Sequence, residues 1–469
     1  MTPPKTKIVC TIGPSSNCPE TIASLIESGM SVARLNFSHG THEEHGIVIE
    51  RLREASARLG RPVAILQDLG GPKIRVGTIP EGGLRLSAGE KMILTGDPGP
   101  ARGNRVSVSF PNLSSQVGRG DRILLADGMM ELVVEQTSGP DITSRVITGG
   151  VLTSHKGINL PSSTLDMPAM TEKDRRDLLY GLAMDVDYVA LSFVRTAHDI
   201  FSIKDIIRSR TKSTPVIAKI EKHEALNHVD AILEASDGVM VARGDLGVEI
   251  RLEKVPGIQK MLIRKANALG KPVIIATQML RSMVESPHPT RAEAADVANG
   301  VLDGADAVML SEETAIGKYP VQSVRYMARI ARSAEEEYLH AAYLNLPTHP
   351  GIAGAVAKAA CSLAKNIDAV AIVATTRSGF TAAQIARYRP RQTVVALTPN
   401  QDAVRRLALY WGCIPHYLDT IEHTDEMVER AAAAVLVEGY AREGDTLVIT
   451  AGRPLWETGT TNMLWVKTL

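Results

Sequence analysis

The sequence predicts an α/β chain: a (β/α)8 barrel, an all-β domain inserted into it, and a separate C-terminal α/β domain. Three observations carry that prediction. Eight apolar, strand-like runs alternate with helical stretches, and eight is the number of strands that closes such a barrel. The alternation is interrupted between residue 73 and about 168 by short β-like runs. Each of the eight runs carries a charged or polar residue at or near its carboxyl end, where a barrel of this kind keeps its active site.

The elements follow in order. Residues 7–13, 31–38 and 62–69 read as strands, with helices at 19–28 and 41–59 between them. This is the βα pattern of a parallel sheet. From Lys73 the pattern changes to β-like runs at 91–95, 105–109, 122–125, 131–135 and 141–148, separated by Gly, Pro, Asn and Asp and without helical period. Alternation resumes at Thr171, with strands at 188–194, 215–221, 238–245, 273–277 and 307–311. Residues 347–351 read as a linker. Beyond it, strands at 369–375, 393–398 and 446–450 form a further α/β unit. The expected domains are 1–71 with 168–346 for the barrel, 72–167 for the insert and 347–469 for the C-terminal domain.

Composition narrows the function classes. Lysines plus arginines and aspartates plus glutamates number 52 each, so the balanced charge argues against a general nucleic-acid or anionic-membrane binder. The cysteines (Cys10, Cys18, Cys361, Cys413) form no CxxC pair, so neither a zinc site nor a disulfide framework is indicated. The Ala-rich stretch 351–374 is broken by Lys358, Lys365 and Asp368 and would not span a bilayer. The opening MTPPKTK is polar, which makes the cytoplasm the expected compartment.

The chemistry gathers at the strand ends. In PVIAKIE, Lys219 and Glu221 stand two residues apart and share a strand face. In GVMVARGD, Arg243 and Asp245 have the same spacing. Strand two places Arg34, Asn36 and Ser38 on one face; strand three ends at Asp68, strand seven at Thr277 and strand eight at Ser311. Glu221 and Asp245, on strands about 4.8 Å apart, suit one hard divalent cation such as Mg²⁺. Arg34 and Lys219 beside them would neutralise a phosphoryl group, whose transfer depends on positioning and charge stabilisation. A structural ion-pair network is the plainer alternative. Barrel interiors, however, are normally filled by Val, Ile and Leu, and buried charge without function is costly. Asn36, Ser38 and Thr277 taken alone serve equally well as loop-linking groups. His39 and His42 read as exposed loop histidines in preference to metal ligands. No GxxxxGK[ST] run supports a P-loop.

The runs TKIVCTIGPSS, VARLNFSHGTHEEH, DLGGPKIR, KGINLP, AKIEKHEAL, DGVMVARGDLGVE, ATQMLRSM, PTRAEAADVANGVLDGADAVMLSEETAIGKYP and IARYRPR resemble, in order, the pattern of the pyruvate kinases. They span nearly the whole chain, and their joint order and spacing are highly specific. The resemblance implies a catalytic TIM barrel, a β-rich lid, a C-terminal regulatory domain and a cytoplasmic homotetramer. It implies transfer of phosphate from phosphoenolpyruvate to ADP, giving pyruvate and ATP, the last step of glycolysis. By the same resemblance Glu221 and Asp245 hold Mg²⁺ (or Mn²⁺), Lys219 stabilises the migrating phosphoryl group and Arg34 binds it. Arg75 at the lid hinge is a further active-site arginine, with His39 and Arg75 on the nucleotide. The amides of Gly244 and Asp245 take the substrate carboxylate. Thr277 lies beside the enolate carbon, and Ser311 belongs to the proton relay. The family's monovalent-cation site falls on Asn36, Ser38, Asp68 and the carbonyl of Leu69. Leu69 and Lys73 depart there from the common Thr and Glu, which implies that Lys73 replaces K⁺. Thr376, Arg377, Ser378, Gly379, Phe380 and Thr381 match the phosphate loop of an allosteric sugar-phosphate or nucleotide effector, with the loop 452–461 closing over it. Phe380 departs from a more polar residue found in some members and leaves the effector's identity open. Two other readings are a Mg²⁺-dependent barrel lyase or aldolase and a non-catalytic sugar-phosphate sensor. The β-rich insert and the phosphate loop favour the kinase over the first. The joint presence of Arg34, Lys219, Glu221, Asp245 and Thr277 speaks against the second.

Overall fold

A computed structural model describes residues 3–163, 166–457 and 459–469. Eight strands close a barrel in the order one, eight, seven, six, five, four, three, two. They are Lys7–Thr11, Met30–Asn36, Ala64–Asp68, Tyr188–Leu191, Val216–Ile220, Gly238–Ala242, Val273–Ala276 and Ala307–Leu310. Neighbours pair in parallel throughout. Buried on both faces, the strands are continuous apolar runs with no alternation, as parallel sheets require.

Side-chain period two sorts each strand into an outer and an inner set. Val9, Val32, Leu66, Ala190, Ile217, Met240, Ile274 and Ala307 pack together inside the barrel. Two residues further along their strands stand Thr11, Arg34, Asp68, Ser192 and Lys219, so the inner face becomes polar and charged at the carboxyl end. The outer faces meet the surrounding helices in the largest apolar cluster. Four of those helices begin with a capping box, Thr41 with Glu44, Thr171 with Asp174, Thr196 with Asp199 and Thr290 with Glu293, which satisfies donors the first turn leaves free.

The insert is all-β, as expected. A six-stranded sheet runs from Ile158–Asn159 through Arg122–Leu125, Met130–Ser138, Asp141–Thr148 and Lys91–Thr95 to Arg105–Ser107. Leu84–Leu86 and Gly150–Leu152 pair beside it. The insert has its own apolar cluster around Met92, Leu94, Val106, Ile123 and Leu132. Its entering and leaving chains are tied by the amide of Ile158 to the carbonyl of Ile74.

The C-terminal sheet has five strands where the sequence reading expected three. Cys413–Tyr417 and Thr461–Thr468 flank Thr393–Thr398, Ala371–Thr375 and Thr446–Gly452. This domain closes the amino end of the barrel. Its Ala408 and Leu409 pack into the interior cluster. The fully buried Arg389 meets both oxygens of Asp306 at 2.8 and 2.9 Å, and Arg405 meets Asp187 at 2.7 Å. Tyr188 donates its hydroxyl to the carbonyl of Arg406. With the amino end plugged, the carboxyl end is the open mouth.

Candidate active site

Strand five is polar at its end because Lys219 continues the inner series begun by Ile217. Its ammonium is buried and lies 2.6 Å from Ser192 Oγ, 3.0 Å from Glu221 Oε1 and 3.1 Å from Asp68 Oδ1. Asp68 also receives Arg34 Nε at 2.6 Å, and Arg34 donates to Thr11 Oγ1 at 2.9 Å. Burial alone would raise the Asp68 carboxyl; the Lys219 and Arg34 cations outweigh it and hold Asp68 below the usual carboxylate range. The same balance works on Lys219. Burial would lower it, but Asp68 and Glu221 overcome that and push it up to about 12. Glu221 moves the other way: burial and the Asp245 carboxylate raise it against the pull of Lys219. Its Oε2 accepts the amide of Phe193 at 2.7 Å. Phe193 packs against Gly71, where a Cβ would stand 2.7 Å from its ring and the backbone has φ +69°, so this turn requires glycine.

Strand six corrects the sequence reading. It stops at Ala242, and Arg243–Glu249 is helical, so Arg243 and Asp245 do not share a strand face. Arg243 turns to Asp296 at 2.6 Å and to the carbonyl of Thr277 at 2.8 Å, binding strand ends together. Asp245 lines the cleft between barrel and insert, together with Arg243, Gly244, Thr277 and Ser311. Thr277 sits at φ +74° and Gln278 follows at +56°. A β-branched residue held there is an outlier that the surroundings must enforce. Its Oγ1 takes the Gly244 amide at 2.8 Å, so that amide is engaged within the protein. Ser311 precedes the turn Glu312–Ala315, and its amide donates to Glu313.

The remaining sequence-predicted residues are more dispersed. Lys73 Nζ lies 3.1 Å from Asp245 and 3.7 Å from Asp127 of the insert. Its ion pairs are therefore with the Asp245 side of the cleft, not with Asp68 of the expected cation set. Within that set, Asn36 Oδ1 accepts the Ser38 amide, and the Leu69 carbonyl accepts the Ser192 hydroxyl. Arg75 donates to the carbonyl of His155 inside the insert. His39 is exposed and gives its carbonyl to His45. His42 is no loop residue: it opens a helix, bonds Asp177 at 2.8 Å and stacks on Tyr180. Sequence reasoning missed Ser192 and Thr11. Period two along YVALS and KIVCT puts both on the inner face, a signal present in the sequence but carried by neutral hydroxyls.

In the C-terminal domain, Thr376, Arg377, Ser378, Phe380 and Thr381 line one pocket with Gly452, Trp456, Thr460 and Thr461. Arg377 donates to the carbonyl of Trp456, and Thr381 and Thr461 join their hydroxyls at 2.5 Å. Gly379, at φ +88°, places its amide on Thr376 Oγ1. Thr458 lies outside the described residues.

A barrel mouth with paired buried cations and carboxylates, facing a cleft against an inserted β-domain, is the arrangement of a barrel enzyme that acts on a charged substrate. The family model for the pyruvate kinase barrel domain matches residues 3–324, and that for the pyruvate kinase alpha/beta domain matches 354–467. A pyruvate kinase of Geobacillus stearothermophilus is 46% identical over 472 residues, covering 99% of this chain and 80% of the relative. Pyruvate kinase 2 of Synechocystis is 46% identical over 469 residues, covering 99% and 79%. A pyruvate kinase of Clostridium acetobutylicum is 42% identical over 468 residues, covering 99% of each. The chain belongs to the pyruvate kinase family, and its activity is that family's phosphotransfer between phosphoenolpyruvate and ADP.

Proposed function

We propose that phosphoryl transfer takes place at the carboxyl end of the barrel, on the buried cluster of Arg34, Asp68, Lys219 and Glu221 with Asp245. The observation that carries this is Lys219 itself, a cation kept charged by two carboxylates at the one open end of the barrel. Glu221 and Asp245 hold the divalent cation. The donor set fits: two carboxylates close enough for Asp245 to raise Glu221, with the Lys73 ammonium already standing at Asp245. When bound, Mg²⁺ supplies compact positive charge for the substrate's phosphoryl and carboxylate oxygens. Lys219 and Arg34 stabilise charge on the migrating group, oriented by Asp68, Ser192 and Thr11. Thr277, fixed in its unusual backbone conformation, faces the reacting carbon, and Ser311 belongs to the path of the proton delivered there. Gly244 and Asp245 amides receive the substrate carboxylate once Thr277 Oγ1 yields the first of them. Arg75 and His39 serve the nucleotide after residues 72–167 close as a lid, which excludes water and favours ADP as acceptor.

Lys73 takes the place of a monovalent cation, so K⁺ is not required. Residues 347–469 regulate the enzyme by binding a phosphorylated metabolite at residues 376–381. A cytoplasmic homotetramer completes the reading; among the described residues no helix is long and apolar enough to cross a membrane. The test is initial-rate pyruvate formation with and without ADP, in K⁺-free buffer at constant ionic strength. Pyruvate that appears only with ADP supports the transfer reading, and pyruvate released equally without ADP defeats it. Strong activation by added K⁺ defeats the role given to Lys73.

A further inference from the structure

Behind the two metal carboxylates lies a second buried acid that the transfer reaction does not touch. Glu249 ends the helix Arg243–Glu249, and its side chain is fully buried. Its Oε1 receives Lys222 Nζ at 2.7 Å and Asn159 Nδ2 at 3.1 Å. Its Oε2 lies 3.2 Å from His223 Nδ1, which is in turn 3.6 Å from Glu224 Oε2. The partners come from two different segments. Lys222 and His223 directly follow Glu221. Asn159 lies on Ile158–Asn159, the strand by which the chain leaves the insert. Glu249 itself stands four residues after Asp245, on the same face of one short helix.

We propose that Glu249 is a positioning residue: it holds the Glu221 and Asp245 segments in register with each other and with the return strand of the insert, and so sets the affinity of the divalent site. This rests on the metal role proposed for Glu221 and Asp245. A buried carboxylate is retained only when its charge is answered, and here the answering groups come from the segment after Glu221 and from the return strand of the insert, which tie both to the helix that carries Asp245. The cluster is not itself a convincing cation site, because the Lys222 ammonium already neutralises Glu249. Supporting groups one step behind metal ligands typically change affinity or activity about 10- to 100-fold when removed.

The test is direct Mn²⁺ binding by calorimetry on the full chain, beside steady-state kinetics at saturating Mn²⁺. Glu249→Gln keeps the shape and removes the charge. Lys222→Met/Glu249→Leu removes both charges and leaves no unpaired ion in the core. In both variants the Mn²⁺ dissociation constant should rise about tenfold, with kcat reduced and the Michaelis constant for phosphoenolpyruvate little changed. Glu221→Gln serves as the reference for the metal site. If Glu221→Gln loses Mn²⁺ while both Glu249 variants, with parental thermal midpoints, bind within twofold of the parent, the positioning role is overturned. If Glu221→Gln and Asp245→Asn also bind Mn²⁺ as the parent does, the metal assignment falls and the role of Glu249 falls with it.

Discussion

Replacing Lys219 by Met should damage the protein in two separable ways. The ammonium lies 3.0 Å from Glu221 and 3.1 Å from Asp68, whose side chains are 2% and 1% exposed. At an effective dielectric of about 20 each contact is worth roughly 5 kcal/mol before desolvation. Burying the three charges offsets much of that, so the net value of the cluster is far smaller than the sum. Removing the cation is different from never having had it. Asp68 keeps Arg34, but Glu221 is left with the Phe193 amide and the repulsion of Asp245. Breaking a buried pair in this way typically costs about 3–5 kcal/mol. Metal-free Lys219→Met should therefore melt well below the parent, and saturating Mg²⁺ should recover part of the loss by binding only the folded state. Turnover should remain about 10²–10³ lower even at saturating Mg²⁺, since the lost charge acts on the transition state. The assays are thermal melting with and without Mg²⁺ and coupled pyruvate formation. Parental turnover would refute the catalytic role, and an unchanged metal-free melting midpoint would refute the electrostatic account of the cluster.

Glu221→Gln and Asp245→Asn should each raise the Mg²⁺ concentration that gives half-maximal rate. In the parent, Glu221 must be ionised to hold the metal and titrates above the ordinary glutamate value, so that concentration should climb as pH is lowered toward it; unchanged half-saturation in both variants removes them from the site. Arg389→Met should destabilise the junction of barrel and C-terminal domain by about 3–5 kcal/mol, because it leaves the buried Asp306 carboxylate without its fork. A change in the melting midpoint no greater than that of a surface substitution would contradict this. Calorimetry with sugar phosphates and AMP should find a phosphorylated ligand for the pocket at Thr376–Thr381, and Ser378→Asp should abolish binding by like-charge repulsion. Binding that survives Ser378→Asp would reduce the loop to an ordinary turn.

The barrel was legible in the sequence because parallel strands buried on both faces leave short continuous apolar runs, and eight of them alternate with longer helical stretches. Their ends were less legible. Polar residues after an apolar run read as its continuation, so strand six was extended to Asp245 although the chain turns helical at Arg243. Only the geometry shows that Arg243 is spent on Asp296 and two carbonyls. Strand Cys413–Tyr417 was missed because Pro415 argues against a strand, and its position at the sheet edge is what makes that proline tolerable. Thr461–Thr468 is the opposite edge, where the short apolar run 463–466 is half-buried as far as Trp465 and flanked by Asn462 and Lys467, which carry little strand preference. The pairs Leu84–Leu86 and Gly150–Leu152 are too short to show any period. At the site, charge announced itself and hydroxyls did not. Lys219, Glu221 and Asp68 were visible as costly residues in an apolar series, whereas Ser192 and Thr11 are cheap to bury and resemble packing.

The charges at the mouth of the barrel are also balanced among themselves. Arg34 and Lys219 answer Asp68 and Glu221, and Lys73 answers Asp245, so three cations and three carboxylates stand paired with no ion added. A neutral cluster of this kind can exist in a folded protein without a ligand, which accounts for its burial. It is not neutral toward a substrate that brings a phosphate and a carboxylate together, since every cation is already claimed. A divalent cation held by Glu221 and Asp245, as proposed, would change that balance by answering the two carboxylates that Lys219 and Lys73 answer here. Under the role proposed for Lys73, this third cation would do the work of a dissolved monovalent ion. Lys73 stands two residues past Gly71, where the chain enters the insert, and pairs with Asp245 at 3.1 Å and with Asp127 of the insert at 3.7 Å. Charge balance and lid position would therefore be coupled through one side chain under the proposed roles, and a change at residue 73 should alter both together.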